Sequence, residues 1–394
     1  MKLAKAAGID GFVLNIAPPW AGAIGKQIAT AFAAANDLDS GFKLFFSFDY
    51  LGGGAAWDKD DVIEILKAYG SNSAHYQYNG KPYVSTFEGT QNINDWPTIR
   101  ASVPGGITFV PDWTSLGPSG FATHLDIVDG AFSWDMWPAG PSSITDNNDK
   151  AWKSAINGKL YMMGVSPWFY TKLPGYNKEW VWRGDEMWHD CWQQVLDVEP
   201  QIVQIVSWND YAESHYIGPI FEAGVPDGSD TNAHPYVDGM AHDNWLDLLP
   251  HYIGRFKAGG DVPQVETEKL QYWYRLTPAA AGSSDGVTGG PCTDGSTKCY
   301  DPNTIVQDKV FVTALVNAPA TVSIQIGNNS PKTFQATSAG ANHFSQPFNG
   351  QTGNVTFQIV RNKKVSVEGT GEAILASPQD GVTNYNAWVG GASA

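Results

Sequence analysis

Two textures of apolar and polar positions follow one another along the chain, and the change falls near Gly260. Before it, short runs rich in Val, Ile and Phe recur. They are "GFVLNI" (11–16), "KLFFSFDY" (43–50), "YVSTFE" (83–88), "ITFVPDW" (107–113), "GAFSWDMW" (130–137), "YMMGVSPW" (161–168) and "IVQIVSWND" (202–210). Each reads as a short buried strand. Segments with helical spacing lie between them. "DKDDVIEILKAYG" (58–70) places Val62, Ile65, Leu66 and Tyr69 on one face, with Asp at its start and Gly at its end. "DEMWHDCWQQVLDV" (185–198) behaves likewise, and "HDNWLDLLPHYIGRFKAG" (242–259) predicts a last helix kinked at Pro250.

Strand, helix and strand in repetition predict a parallel sheet with crossover helices. A closed (β/α)8 barrel needs eight strands and about 250 residues, and the runs above number seven. The chain opens on an apparent helix, "KLAKAAG", that should follow a strand. Residues 1–260 are therefore expected to form a (β/α)8 TIM-type barrel whose first strand is missing. An open doubly wound sheet needs no missing strand. The barrel is preferred because every run ends in polar or aromatic residues, as strands do at a barrel mouth. A barrel short of one strand exposes two unpaired edges.

After Gly260, "LQYWYRLTP" (270–278) leads into a Gly/Ser-rich loop, and period-two runs follow: "DKVFVTALV", "ATVSIQIG", "NVTFQIV" and "KKVSVEG". Residues 261–394 are expected to be an antiparallel β-sandwich accessory domain. Few aromatics look exposed on it, so it is read as a support for the barrel before a binding module.

Composition narrows the ligand. Charged residues are 16% and aromatics 13%, with 16 Trp, and the net charge is −16. A polyanion would be repelled, so nucleic acid and anionic membrane surfaces are poor partners. A neutral, ring-bearing ligand suits little charge and many aromatics. No apolar run approaches the ~20 residues of a membrane span, and the opening residues lack the apolar core of a signal peptide. Cys292 and Cys299 flank a short loop and are expected to form a local disulfide, while Cys191 reads as a buried helix residue. That bridge and the sequons at Asn328 and Asn354 lean toward an exported protein.

In a barrel of alternating strands and helices, catalytic groups sit at the C-terminal strand ends. Those ends carry Asn15; Asp49 and Tyr50; Glu88; Asp112 and Trp113; Asp135 and Trp137; and Ser166 and Trp168. The last carries Trp208, Asn209, Asp210 and Glu213, followed by His215 and Tyr216. Each acid taken alone is better explained as a helix cap or loop residue; their recurrence is the signal. Two carboxylates beside an aromatic-lined groove suit glycoside hydrolysis, in which one delivers a proton and the other, ionised, activates water or attacks carbon. Asp210 and Glu213 are the candidate pair. Their proximity would raise one pKa and leave the other low.

Other chemistries lack their anchors. There is no GxSxG elbow and no GxxxxGK[ST] loop, and "GGG" at 52–54 lacks the GxGxxG spacing. His189 and Cys191 have no partner pair for a metal, and Trp188 and Trp192 at helical spacing read as core. His215 is read as a hydrogen-bonding group for a ligand or as a plain structural residue. No metal and no cofactor is expected.

"KLAKAAGIDGFVLNI", "FKLFFSFDY", "KPYVSTFEG", "FVPDW", "DGAFSWDMWP", "YMMGVSPWFY" and "SWNDYAESHYIGP" together resemble fungal α-1,3-glucanases (mutanases), glycoside hydrolase family 71. The match runs in order through the whole expected barrel. The resemblance implies a secreted enzyme that hydrolyses α-1,3-glucan, a fungal cell-wall polymer, internally and with inversion. It implies Asp210 as general base and Glu213 as general acid, with Asp49, Glu88, Asp112 and Asp135 binding or orienting sugar. Family members carry a secretion signal and a further strand ahead of "KLAKAAGIDG". A monomer acting on α-1,3-glucan is expected. Two other readings stay open: a glycan-binding or truncated member without turnover, and a glycosidase of other specificity such as an α-mannanase.

Overall fold

The computed structural model describes residues 1–292 and 299–394. Contacts divide the chain into two compact units. The first comprises residues 1–136, 146–164 and 197–204; the second comprises 137–145, 165–196 and 205–394. The 261–394 segment thus belongs to a larger unit that also takes in 165–196 and 205–260.

The first unit is a mixed α/β assembly on a parallel sheet. Gly11–Ile16 pairs with Lys43–Asp49, which pairs with Lys81–Phe87, which pairs with Thr108–Phe109, all parallel. Single bridges from Phe87 to Asp112 and from Asp112 to Phe132 carry the sheet on to Gly130–Phe132. That strand runs parallel to Leu160–Val165, whose other neighbour is Ile202–Ile205. All seven apolar runs therefore contribute a strand.

Closure does not follow. Among the described residues, Gly11–Ile16 and Ile202–Ile205 have no outer neighbour. Their burial shows it: the first is half-buried throughout except at exposed Asn15, the second half-buried throughout, while Leu160–Val165 is buried from Tyr161 onward. Edge strands lose the packing that a flanking strand supplies.

The helix expected near 58–70 is Lys59–Tyr69. The Asp58 side chain caps it by accepting from the Asp60 N–H at 2.7 Å, and Val62, Ile65 and Leu66 are buried. The last helix departs from expectation. Pro250 does not kink a continuous helix; a short 3₁₀ turn, Asp243–Leu246, precedes a separate helix, Leu249–Lys257, with Pro250 in its first turn. There the missing N–H costs nothing, because first-turn amides have no intrahelical partner.

In the second unit, two four-stranded antiparallel sheets form the sandwich. One runs Gly340–Pro347, Lys309–Val316, Lys269–Tyr274, Trp388–Ser393; the other runs Lys332–Ala336, Ala320–Ile326, Gly353–Arg361, Lys364–Ile374. Period-two residues Val310, Val312 and Ala314 face Val322, Ile324 and Ile326 and Val355, Phe357 and Ile359 in one core. Tyr272 stacks on Phe357 at 3.9 Å. Gly371 admits the Tyr274 hydroxyl, which a Cβ there would meet at 2.3 Å. Cys292 and Cys299 are disulfide-bonded with Cα atoms 5.4 Å apart, and the loop between them lies outside the described residues.

Candidate active site

The loop after Ile202–Ile205 is tied back on itself. The Ser207 N–H donates to His215 O, the Ile217 N–H to Ser207 O and the Gly218 N–H to Trp208 O, each at 2.9 Å. Ser214, at φ 58°, turns the chain within it. Asp210 and Glu213 are thereby held on one tight turn. The Asp210 N–H donates to Ser207 Oγ at 2.9 Å, and the Glu213 N–H to Asp210 Oδ1 at 3.1 Å. Elements packed around the loop fix it further. The Tyr170 N–H donates to Glu213 O, and the Tyr236 hydroxyl to Ala212 O.

The two carboxylates face different surroundings. Glu213 is 15% exposed; Lys178 Nζ meets its Oε1 at 2.8 Å, and His215 Nε2 meets its Oε2 at 2.9 Å. Burial alone would raise the Glu213 pKa, but the His215 hydrogen bond and charge and the Lys178 ammonium outweigh it and bring it down to about 2. Asp210 is 44% exposed. The protein packed against it and the Glu213 charge push its pKa up. An ionised Glu213 can only accept, so His215 carries its proton on Nε2 there. Its Nδ1 lies 2.9 Å from Ser207 Oγ. One oxygen each of Asp210 and Glu213 and a ring nitrogen of His215 all lie within 4.8 Å of one another.

An aromatic wall stands beside this group. Trp137 stacks on His215 with ring centroids 5.7 Å apart, and Phe169 packs against both. Trp180 stacks on Phe169 at 5.8 Å. Trp180 and Lys178 both belong to Lys178–Val181, the second strand of a hairpin with Tyr170–Leu173. Sequence reasoning missed this hairpin and its lysine. The signal was the turn "PGYN" between alternating residues.

Five residues expected to touch ligand are buried: His215, Tyr216 and Trp113, together with Tyr50 and Asp112 of the first unit. His215 is 1% exposed, and the protein uses both its ring nitrogens, so none is left for a sugar hydroxyl. Tyr216 is fully buried; its hydroxyl donates to Met240 O and its ring stacks on His242. Trp113 is fully buried between Phe109 and Phe121. An aromatic after a strand has two directions to point, and these point inward. Trp208 and Asn209 lie in the acid-bearing loop; Trp208 is half-buried and Asn209 exposed.

In the first unit, the strand-end acids form a group of their own. Asn15 Nδ2 donates to Asp49 Oδ2 at 3.4 Å, and Asp49 Oδ1 caps the turn by accepting from Leu51 and Gly52 N–H. Tyr50 is buried against Gly89. Glu88, at φ 52°, accepts from the Ser115 N–H and hydroxyl. Asp112 is fully buried; Oδ1 accepts from Thr114, and Oδ2 has no hydrogen-bond partner among the described residues. Burial, with the Glu88 and Asp135 charges adding to it, holds the Asp112 pKa well above the usual carboxylate range. Asp135 accepts from Trp152 Nε1 at 3.0 Å and is also shifted up by burial.

Two groups among the described residues are arranged so that they could hold an ion: Asp210, Glu213 and His215, and Glu222, His234 and Asp238 on the surface. In the first, Lys178 already supplies the positive charge that Glu213 faces.

Comparison with known proteins gives this arrangement a family. The chain is 34% identical to the glucan endo-1,3-alpha-glucosidase agn1 of Schizosaccharomyces pombe, over 98% of this chain and 88% of that relative. It is 32% identical to the mutanase Pc12g07500 of Penicillium rubens, over 98% of this chain and 82% of that relative. A solved GH99 endo-alpha-mannosidase from Bacteroides thetaiotaomicron covers 66% of this chain and 78% of its own at 17% identity and a TM-score of 0.47, too distant to transfer residue roles. The family model described as glycosyl hydrolase family 71 matches residues 1–394, and the chain belongs to that family.

Proposed function

We propose that the chain hydrolyses internal bonds of α-1,3-glucan with inversion, using Asp210 and Glu213 as its acid–base pair. The observation that carries the reading is one tight loop holding two interacting carboxylates, one electrostatically favoured as the ion and one not, beside an aromatic wall. Inversion and the order of roles come from the family resemblance, with Glu213 as donor and Asp210 as base.

Without substrate the charges run the other way, because Lys178 keeps Glu213 ionised. Sugar entering beside Oε1 takes the place of Lys178, whose side chain is 45% exposed and can swing outward. Without the ammonium opposite it, Glu213 takes up a proton from solvent, while the His215 Nε2–H goes on donating to Oε2 at 2.9 Å and holds the carboxyl in place. Neutral Glu213 gives its proton to the glycosidic oxygen. Asp210, relieved of the neighbouring charge that raised its pKa, is ionised, takes a proton from the attacking water and returns it to solvent once the products leave.

A second reading is favoured by one distance. Inverting pairs stand about 6.5–9.5 Å apart and retaining pairs about 5–5.5 Å. Oxygens of Asp210 and Glu213 approach within 4.8 Å. That is a nearest-atom distance, and on the inverting route the Asp210 side chain, 44% exposed, turns away as sugar enters to make room for water. If it does not, Asp210 is placed as a nucleophile.

We read the seven strands as those of a (β/α)8-type barrel, with 261–394 as an accessory sandwich, and place the enzyme outside the cell, in keeping with its disulfide and sequons. Incubation with α-1,3-, α-1,4- and β-1,3-glucans and α-mannan tests the specificity. New reducing ends from α-1,3-glucan alone are expected. Release from mannan assigns another specificity, and binding without release assigns a glycan-binding protein.

Lys178 gives a pH prediction. Lys178→Met removes a cation that depresses the Glu213 pKa, so that pKa rises from about 2. A donor works only when protonated, so the kcat/KM profile extends to higher pH. An unmoved profile would show that Lys178 does not set the state of Glu213.

A further inference from the structure

We propose that Phe221 and Tyr176 are stacking platforms for sugar units of the polymer beyond the bond being cut. The inference rests on the hydrolase reading and adds where the rest of the chain is held. Phe221 is 69% exposed and Tyr176 65%, which makes them, with Leu51, the barest large apolar side chains among the described residues. Phe is among the side chains most often buried, and Tyr keeps its ring covered more often than this.

Both are mounted on held backbone close to the acid pair. The Phe221 N–H donates to the Tyr211 hydroxyl at 2.9 Å, and that hydroxyl donates to Pro219 O at 2.9 Å. Tyr211 stands between the two acids in sequence, is 3% exposed, and packs edge-on against Tyr216. Phe221 is therefore tethered to the turn that carries Asp210 and Glu213.

Tyr176 occupies the hairpin turn Pro174–Tyr176. The Gly175 N–H donates to Asp230 O at 2.8 Å, and a Cβ at 175 would lie 2.9 Å from that oxygen, so glycine is what lets the turn dock there. Asn177, at φ 51°, closes the turn, and the next residue is Lys178, whose Nζ reaches Glu213. Two residues span at most about 7 Å between Cα atoms, and the extended lysine side chain adds roughly as much again, so the Tyr176 backbone stands within about 15 Å of the Glu213 carboxylate, the length of a few sugar units.

A bare ring on a rigid backbone binds without first being ordered, which lowers the entropy cost of binding. In sequence Glu222 follows Phe221 and Glu179 lies three residues after Tyr176, while the intervening Lys178 is paired with Glu213; Asp227 and Asp230 follow in the next hairpin. That charge disfavours a polyanion and leaves a neutral polymer as the occupant.

The test uses Phe221→Ala and Tyr176→Ala, singly and combined, on insoluble α-1,3-glucan and on a short soluble α-1,3-linked oligosaccharide. For the double variant, kcat/KM on the polymer should fall about tenfold further than on the short substrate, the scale of losing an anchoring aromatic. Phe221→Trp should recover most of its share. Equal losses on both substrates, or none, overturn the proposal. Unchanged polymer kinetics with loss of self-association in the double variant would instead assign the rings to an interface between copies. If the wild-type chain cleaves neither substrate, the hydrolase reading fails by itself. Depletion onto insoluble glucan then decides the platform: weaker binding by the double variant upholds it, and equal binding overturns it.

Discussion

Asp210→Asn and Glu213→Gln each lower kcat on α-1,3-glucan by roughly 10²- to 10⁴-fold, the range of a lost general acid or base, while the proteins still bind the polymer. Both substitutions keep shape. In the first, the new amide oxygen would still accept from the Glu213 N–H; in the second, it could still accept from His215, so the turn should hold. What disappears is the capacity to carry a proton or a negative charge. The two variants part company on a glucosyl fluoride, whose leaving group needs no proton. Glu213→Gln regains activity there if Glu213 is the donor, and Asp210→Asn does not. The opposite pattern would assign the proton to Asp210, in line with the charges of the substrate-free state. Full activity in both variants on the glucan would remove the pair from the mechanism.

Arg275→Ala is expected to cost about 1–3 kcal/mol of stability, the penalty for leaving buried hydrogen-bond acceptors without their donor, since the Asp308 carboxylate it also releases is 40% exposed. The Arg275 side chain is 1% exposed. It donates to Asp308 Oδ1 at 2.5 Å and to the carbonyls of Thr277 and Gln307, each at 3.1 Å. Its charge also helps lower the pKa of buried Asp185, which burial pushes up to about 6. Truncation leaves two carbonyls unpaired and lets the Asp185 pKa climb further. Arg275→Met fills the space without the donors and should lose less. Thermal unfolding of the three proteins measures it; an Arg275→Ala midpoint equal to wild type would mean the guanidinium is replaced by water at no cost.

The sheet was legible because its strands are short runs of Val, Ile and Phe, and the Lys59–Tyr69 helix because both its cap and its apolar face stand within one stretch. Asp210 and Glu213 were legible as a pair because one turn carries both. Their charge states were not. The lysine that depresses Glu213 lies 35 positions away on a hairpin whose crowded tryptophans mask its alternation. The fate of His215 was equally hidden. Its place beside the acids is written in the sequence, but the use of Nδ1 by Ser207 and Nε2 by Glu213 exists only once the loop folds back. Trp113 and Tyr216 show the same limit: a residue after a strand faces the mouth or the core according to packing that residue order does not specify. Strands such as Gly340–Pro347, whose composition is largely polar, were passed over because pairing with Lys309–Val316 decides them more than their own pattern does.

In the proposed mechanism, Asp210 and Glu213, drawn together without substrate, separate around a sugar and cut its α-linkage by a single displacement. Proton NMR of the first products from soluble α-1,3-linked oligosaccharide reads this directly. The new reducing ends are expected to appear as the β-anomer and to reach the α form only by later mutarotation. Initial release of the α-anomer would contradict the single displacement and make Asp210 a nucleophile.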